Sequence, residues 1–425
     1  MTLAAVRHPA IFALPAGAGA LTAFVLGTYP PSVALAALSI PITACALVIW
    51  PWAALPVATV VGTVATQALG LERVTPVIAV HGILVAVGFV AVAVRAAFDP
   101  TWERRVKTRA DVPMLAFAGA ILLGAAYGAA AGNSHHDVLV GAYQLGVVPA
   151  YFFLATHSLR SPSQLRAGCI AFAVAASAVV LVGLAEPGRH GGLFSALALP
   201  PLLVAAAAKT SGLRRALVLA AAALFALDVV LSAYRAVWLA TLVAVTLVFA
   251  SRIPRLRRTA AAAFVVALVV AVLGIGLQGD LRARAEGVGV AVHEPSGYRA
   301  AEARVGWEAF IANPLLGGGV GHVESDTYVP GFGVTDVGPE YHAFYVTLIV
   351  NLGLVGFVLF IWPVVAALRG AGRGRAGHAL AFPALLVGFA AAAAFAAPTD
   401  GHWELGLLAA LTLLAARFES SGGGR

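Results

Sequence analysis

"EYHAFYVTLIVNLGLVGFVLF", residues 340–360, decides how the rest of the chain is read. It opens on a polar and aromatic cluster, Glu340, Tyr341 and His342, and then runs apolar as far as Arg369. A helix that crosses a bilayer needs about 20 mostly apolar residues, and this run is long enough. The whole chain points the same way. Its 425 residues are 61% hydrophobic and 11% charged, whereas soluble domains carry about 25% charged residues. The chain therefore reads as an all-α polytopic membrane protein, and His342 sits where a polar segment enters lipid.

Outward from that stretch, candidate spans fall at 10–27, 32–50, 52–70, 76–97, 113–131, 138–157, 167–185, 193–208, 215–232, 234–251, 259–278, 343–367, 380–397 and 404–418. Short connections and the brief run at 193–208 make this about 12–14 spans. Arg7 ahead of the first run resembles a secretory leader, but the many runs that follow make it a retained first helix. Cys45 and Cys169 fall inside apolar segments and read as small core residues, with no disulfide or metal implied.

Net charge is +8, spread in short blocks between apolar runs. The blocks are 104–109, 160–166, 209–215, 252–258 and 369–375, and each lies in an alternate connection. Positive connections stay cytoplasmic, so the pattern is a topology signal and not a nucleic-acid surface. Both termini are then expected in the cytoplasm. The opposite connections, 132–137, 186–192, 279–342 and 398–403, face outward, and only 279–342 is large. The organisation expected is an N-terminal bundle over 1–278, an extracytoplasmic loop over 279–342, C-terminal spans over 343–418 and a disordered Gly-rich tail over 419–425.

The loop is dense in titratable residues for a chain so poor in them. Within it, residues 298–312 read as a helix, with Ser296 as N-cap and Pro314 just beyond the end. Arg304 has a local explanation, Glu308 at i+4 or Trp307 at i+3. Arg299 has only Glu302 nearby. The glycines 317, 318, 319 and 321 read as a flexible turn, because no lysine and Ser/Thr pair follows them as in a nucleotide loop. Arg235, in "LSAYRAVWLA", lies between two apolar runs near the outer face. Charges there serve a function or a partner, such as Asp228, or else snorkel to headgroups. His342 is either an interfacial belt residue beside Tyr341, Phe344 and Tyr345 or a base near neutral pH. "NSHHD" offers His135, His136 and Asp137, but neighbouring side chains rarely converge on one metal, and "TDGHWE", with Asp400, His402 and Glu404, reads as a polar turn with a tryptophan anchor.

Taken together, three stretches resemble the O-antigen ligase and O-antigen polymerase superfamily. They are Ser232 to Arg235; Arg299 ahead of Pro314 and Gly317; and His342 with Phe344 and Tyr345 ahead of Gly353 and Gly356. The resemblance covers roughly residues 225–365. The chain departs from the family pattern in the two residues between Ser232 and Arg235, in Ala343 where asparagine is frequent, and in Asn351 where an acidic residue is frequent.

The resemblance implies a metal-independent glycosyltransferase of the GT-C class, without cofactor. Its donor would be a polyprenyl-pyrophosphate-linked glycan and its acceptor a hydroxyl of a glycan or glycolipid, at the outer face of the cytoplasmic membrane. In that reading Arg235, Arg299 and Arg304 bind the pyrophosphate and His342 is the general base. The chemistry suits these residue types: guanidinium forks bind phosphate oxygens without a metal, and no Asp-x-Asp pair stands in 279–342. The rival reading is a transporter or flippase for an envelope precursor. Transporters place charges near the midplane, often within paired repeats, and neither is evident here.

Overall fold

The computed structural model describes residues 47–53, 55, 74–99, 106–185, 192–207, 212–232, 234–250, 295–329, 333–338, 341–371, 378–395 and 402–422. The expected spans 10–27 and 259–278, and most of 32–50 and 52–70, lie outside them. Every other expected span is a helix: α1 (Val74–Phe98), α2 (Asp111–Ala130), α3 (His135–Ser158), α4 (Pro162–Ala185), α5 (Gly192–Ala207), α6 (Gly212–Leu231), α7 (Arg235–Phe249), α9 (Phe344–Ala371), α10 (His378–Ala392) and α11 (Trp403–Gly422). The expected loop helix is α8 (Pro295–Ala312). It begins at Pro295, which puts Ser296 inside the helix and not at its cap. Proline at the first helical position costs no hydrogen bond and has a suitable φ. Among the described residues, Asp111–Ala130, His135–Ser158, Pro162–Leu181 and Phe344–Ala371 are long and apolar enough to cross a membrane. The chain is an all-α polytopic membrane protein.

Helix backbones come close where side chains are small, as membrane packing favours. A Cβ on Gly406 of α11 would lie 1.8 Å from the Val148 carbonyl oxygen of α3, and one on Gly388 of α10 would lie 2.3 Å from that of Ala240 in α7. Trp403, expected as an anchor at the water boundary, is in the core instead. Its ring centroid lies 5.2 Å from that of Tyr151 and 6.4 Å from that of Phe194. The C-terminal helix also outlasts the expected start of the tail. It continues through Gly422, with Ser420 Oγ donating to the Arg417 carbonyl at 2.7 Å. Arg417 Nη1 donates to the Lys107 carbonyl at 3.0 Å, which joins two segments expected on one side of the membrane.

The segments expected on the opposite side also meet, and the glycine turn is their junction. Helix α9 breaks at Gly353 (φ 61°, ψ −164°), nine residues or roughly 14 Å from its start at 1.5 Å per residue. A broken helix in lipid must find other partners for its freed amides. Here the turn supplies them: Gly318 N donates to the Val350 carbonyl (2.8 Å), Leu354 N to Pro314 (2.9 Å) and Val355 N to Leu315 (3.2 Å). On its other side Val320 N donates to the Gly124 carbonyl of α2 at 3.0 Å. Asn133 Nδ2 reaches the carbonyls of Gly318 and Val320 at 3.3 and 3.1 Å. The run read as a flexible turn is thus a packed wedge among α2, α3 and α9. Glycine is required because backbone meets backbone there.

Asn351 explains one departure from the family pattern. Its Oδ1 accepts from Gly321 N at 2.8 Å and its Nδ2 donates to the Thr347 carbonyl at 2.7 Å. An ionised carboxylate accepts only, whereas this fully buried position uses a donor and an acceptor. Asn351→Leu should lower stability by about 1–3 kcal/mol, the cost of an orphaned buried amide. The check is the thermal unfolding midpoint in detergent, and an unchanged midpoint would remove this role.

The loop also contains β1 (Glu324–Val329) paired antiparallel with β2 (Gly333–Val337). This short hairpin was not expected within the all-α fold. β-branched residues flanking Pro330 and Gly331 are the signal that would have found it.

Candidate active site

Helix α8 docks because its apolar residues recur at four-residue spacing. Ala301, Val305 and Ala309 pack with Val337 of β2 and with Tyr341, Val346 and Val350 at the start of α9. Gly306 permits the close approach, since a Cβ there would lie 2.5 Å from Val346 Cγ1. This packed face also carries one acid, Glu302.

A buried carboxylate needs hydrogen-bond donors around it, and His342 supplies them. The His342 amide N–H donates to Glu302 Oε2 at 3.0 Å. The His342 Nδ1 atom lies 2.9 Å from Oε2 and 3.1 Å from Oε1. The two side chains differ sharply in exposure, 42% for His342 and 4% for Glu302. The entry turn is held independently. Tyr341 N donates to Thr347 Oγ1 at 3.1 Å, and that hydroxyl returns a bond to the Tyr341 carbonyl at 3.3 Å.

Glu302, His342, Ala343, Val346, Ala394 and Phe395 line an open cavity of about 190 Å³. Whole ligands usually occupy roughly 300–1,000 Å³, so this cavity suits the reacting part of a larger substrate. Its walls are mostly apolar, with a carboxylate and an imidazole on one side. Ala343, another departure, opens α9: its carbonyl accepts from Thr347 N at 3.1 Å. Asparagine at such a position would cap the helix. Here the Phe344 amide is satisfied instead by the Ala393 carbonyl of the segment after α10, at 3.0 Å.

The aromatic neighbours of His342 are not a belt. Tyr341 and Phe344 are fully buried. Phe344 packs edge-on against Phe360 (5.2 Å) and His402 (4.6 Å), and the Tyr345 hydroxyl donates to the Ala390 carbonyl at 2.5 Å. These rings hold three helices together, and His342 is left as the exposed polar group at the boundary.

The other expected residues are placed as follows. Arg304 is on the exposed side of α8, its Nε 3.2 Å from Glu308 Oε1, so its local explanation stands. Trp307 packs against Phe310 with the rings tilted by 42°. Arg235 is the first residue of α7 and Arg299 lies in α8, but both side chains are outside the described residues. Asp228 is fully buried and accepts from Ser195 Oγ at 2.7 Å. Ser232 turns the chain between α6 and α7, donating to the Val229 carbonyl at 2.7 Å.

Glu324, a possible alternative base, pairs with His322 at 2.9 Å and is not among the cavity residues. The side chains of Asp326 and Glu340 are outside the described residues. "NSHHD" is a helix start, with Ser134 Oγ accepting from Asp137 N at 3.1 Å. His402 and Glu404 form a buried pair, Nδ1 to Oε1 2.6 Å.

Fold and site together define a multi-pass membrane protein with a His–Glu pair at the mouth of a span. Residues 220–361 match the family model described as O-antigen ligase. That match, over about a third of the chain, supports the O-antigen ligase and polymerase superfamily and O-antigen ligase-like glycan transfer in a membrane. The matched residues agree with the window of the three motifs to within a few positions. They contain the glycine wedge, Glu302 and His342. No curated protein and no solved structure matches the chain.

Proposed function

We propose that this protein is a metal-independent glycosyltransferase of the GT-C type. It transfers or polymerises a glycan from a polyprenyl-pyrophosphate donor onto a hydroxyl of a glycan or glycolipid acceptor, at the outer face of the cytoplasmic membrane. The observation that carries the reading is His342, solvent-accessible at the entry of a membrane span and backed by a buried carboxylate. A substrate with its tail in lipid and its sugar in water brings its reacting bond to that level.

In this reading His342 removes the proton of the acceptor hydroxyl. The oxygen attacks the anomeric carbon, and the bond from that carbon to the pyrophosphate breaks. Polyprenyl pyrophosphate leaves with the electron pair, and the anomeric centre inverts. Arg235 and Arg299 stabilise the developing charge, while Arg304 pairs with Glu308 on the exposed side of α8. Guanidinium groups remain ionised at any working pH and bind phosphate through paired donors. Such preorganised stabilisation is often the largest catalytic contribution.

The test is transfer in reconstituted membranes, using donor extracted from the native host. Transfer is expected to survive a chelator and to fall by about 10²–10³-fold in Arg299→Ala, the scale of losing one preorganised donor. Product length distinguishes one-step ligation from polymerisation. A wild type that moves no glycan from its native donor would return the transporter reading, and inhibition by the chelator would overturn metal independence.

A further inference from the structure

We infer that Glu302 is the positioning residue for His342: it holds the imidazole in the tautomer whose Nε2 accepts the proton from substrate. This rests on the transferase reading above. Glu302 is not one of the arginine and histidine positions that the family resemblance brings forward, and it stands forty residues from its partner in sequence.

An ionised carboxylate accepts hydrogen bonds and donates none. Both oxygens of Glu302 lie within 3.1 Å of Nδ1, and Oε2 also takes the His342 amide N–H. Nδ1 therefore carries the proton in the neutral ring, and the basic lone pair is on Nε2. The second bond, to the main chain, fixes the carboxylate relative to the same residue it orients. Glu302 is itself a poor candidate for the base. It is packed into the interface of α8, β2 and α9 with its side chain 4% exposed, while the imidazole it holds is open to the cavity.

Glutamine at 302 separates orientation from tautomer. Its size is nearly unchanged and its oxygen can still take the His342 amide. Its NH₂ then takes the place of Oε1, 3.1 Å from Nδ1, where a protonated Nδ1 sets donor against donor and the balance moves toward Nε2 protonation. Aspartate keeps acceptor-only chemistry on a shorter arm.

The experiment is ¹⁵N NMR of histidine-labelled protein in nanodiscs, at alkaline pH where the ring is neutral. The resonance of His342 is assigned among eleven histidines by its loss in His342→Gln. The expected result is an Nδ1-protonated ring in wild type and in Glu302→Asp, and a shift toward Nε2 protonation in Glu302→Gln. Transfer assayed in parallel should show kcat reduced by about 10²–10⁴-fold in Glu302→Gln, the span of a general-base contribution. KM for the donor should be little changed, and Glu302→Asp should recover part of the loss. An Nε2-protonated ring in wild type, or a tautomer unmoved by Glu302→Gln, overturns the proposal. So does an Asp variant no better than the Gln variant. The tautomer is read without substrate. A wild type that transfers nothing therefore removes the transferase reading, while the nitrogen shifts still decide whether Glu302 sets the ring.

Discussion

Replacing His342 by alanine should lower glycan transfer by about 10²–10⁴-fold, the usual worth of a general base. The imidazole is the exposed member of its pair and lines the cavity, so the proton-accepting group is lost with little disturbance of the packed rings behind it. Alanine does remove one partner from a buried carboxylate, and a fall in stability could then be mistaken for a fall in chemistry. His342→Gln separates the two. Its amide can still donate to Glu302, yet it has no basic nitrogen. The expected outcome is a protein that unfolds near the wild-type temperature and transfers no better than the alanine variant. Substantial transfer in His342→Gln would mean that another group takes the proton.

Gly353→Ala should have the largest effect on stability. Its backbone conformation (φ 61°, ψ −164°) is essentially reserved to glycine and costs other residues about 1–3 kcal/mol. A Cβ there would also lie 2.3 Å from the Leu315 carbonyl oxygen. That neighbour is backbone held by its own hydrogen bonds and cannot rotate away. Relieving the overlap pulls the wedge from α9 and leaves amides such as those of Leu354 and Val355 without their partners, at about 1–3 kcal/mol for each orphaned group. The combined loss should be roughly 4 kcal/mol or more, read by thermal unfolding in detergent. Gly119→Ala is the control. It lies inside α2, nothing stands within 4 Å of its added Cβ, and alanine there should raise helix stability by up to about 1 kcal/mol. Equal midpoints for the two variants would show that the wedge contributes no stability.

Much of the fold was legible because lipid imposes a one-dimensional rule. Apolar runs of spanning length must be helices, and the helical limits came out within a few residues of the apolar ones. Family motifs were legible as an ordered set, Ser232 to Arg235, then Arg299, Pro314 and Gly317, then His342 and Gly353. Their purpose was not. Gly317 and Gly353 look like two separate turn signals, yet a Cβ on Gly353 would lie 2.6 Å from the Gly317 amide nitrogen. The two glycines are halves of one joint.

The residue types around the site misled wherever chemistry resembled location. Tyr341, Phe344 and Trp403 have the composition of a membrane-interface belt, and all three are buried. An aromatic ring can lie at the surface or pack among neighbours, and spacing along one chain does not distinguish the two. Arg304 and Glu308 show the opposite case, because four residues along a helix bring side chains together wherever that helix lies.

What the sequence determined by itself is what depends on local composition: membrane residence, the positions of the helices, the loop helix at α8 and the exposed histidine at the start of α9. The tertiary structure alone decided which acid faces that histidine. Glu302 was one of many charged residues in the outer loop, and the partner its sequence neighbourhood offered was Arg299. It became the partner of His342 because α8 folds its apolar side onto α9. That docking buries a carboxylate which then requires donors, and among the described residues the amide and ring of His342 supply them.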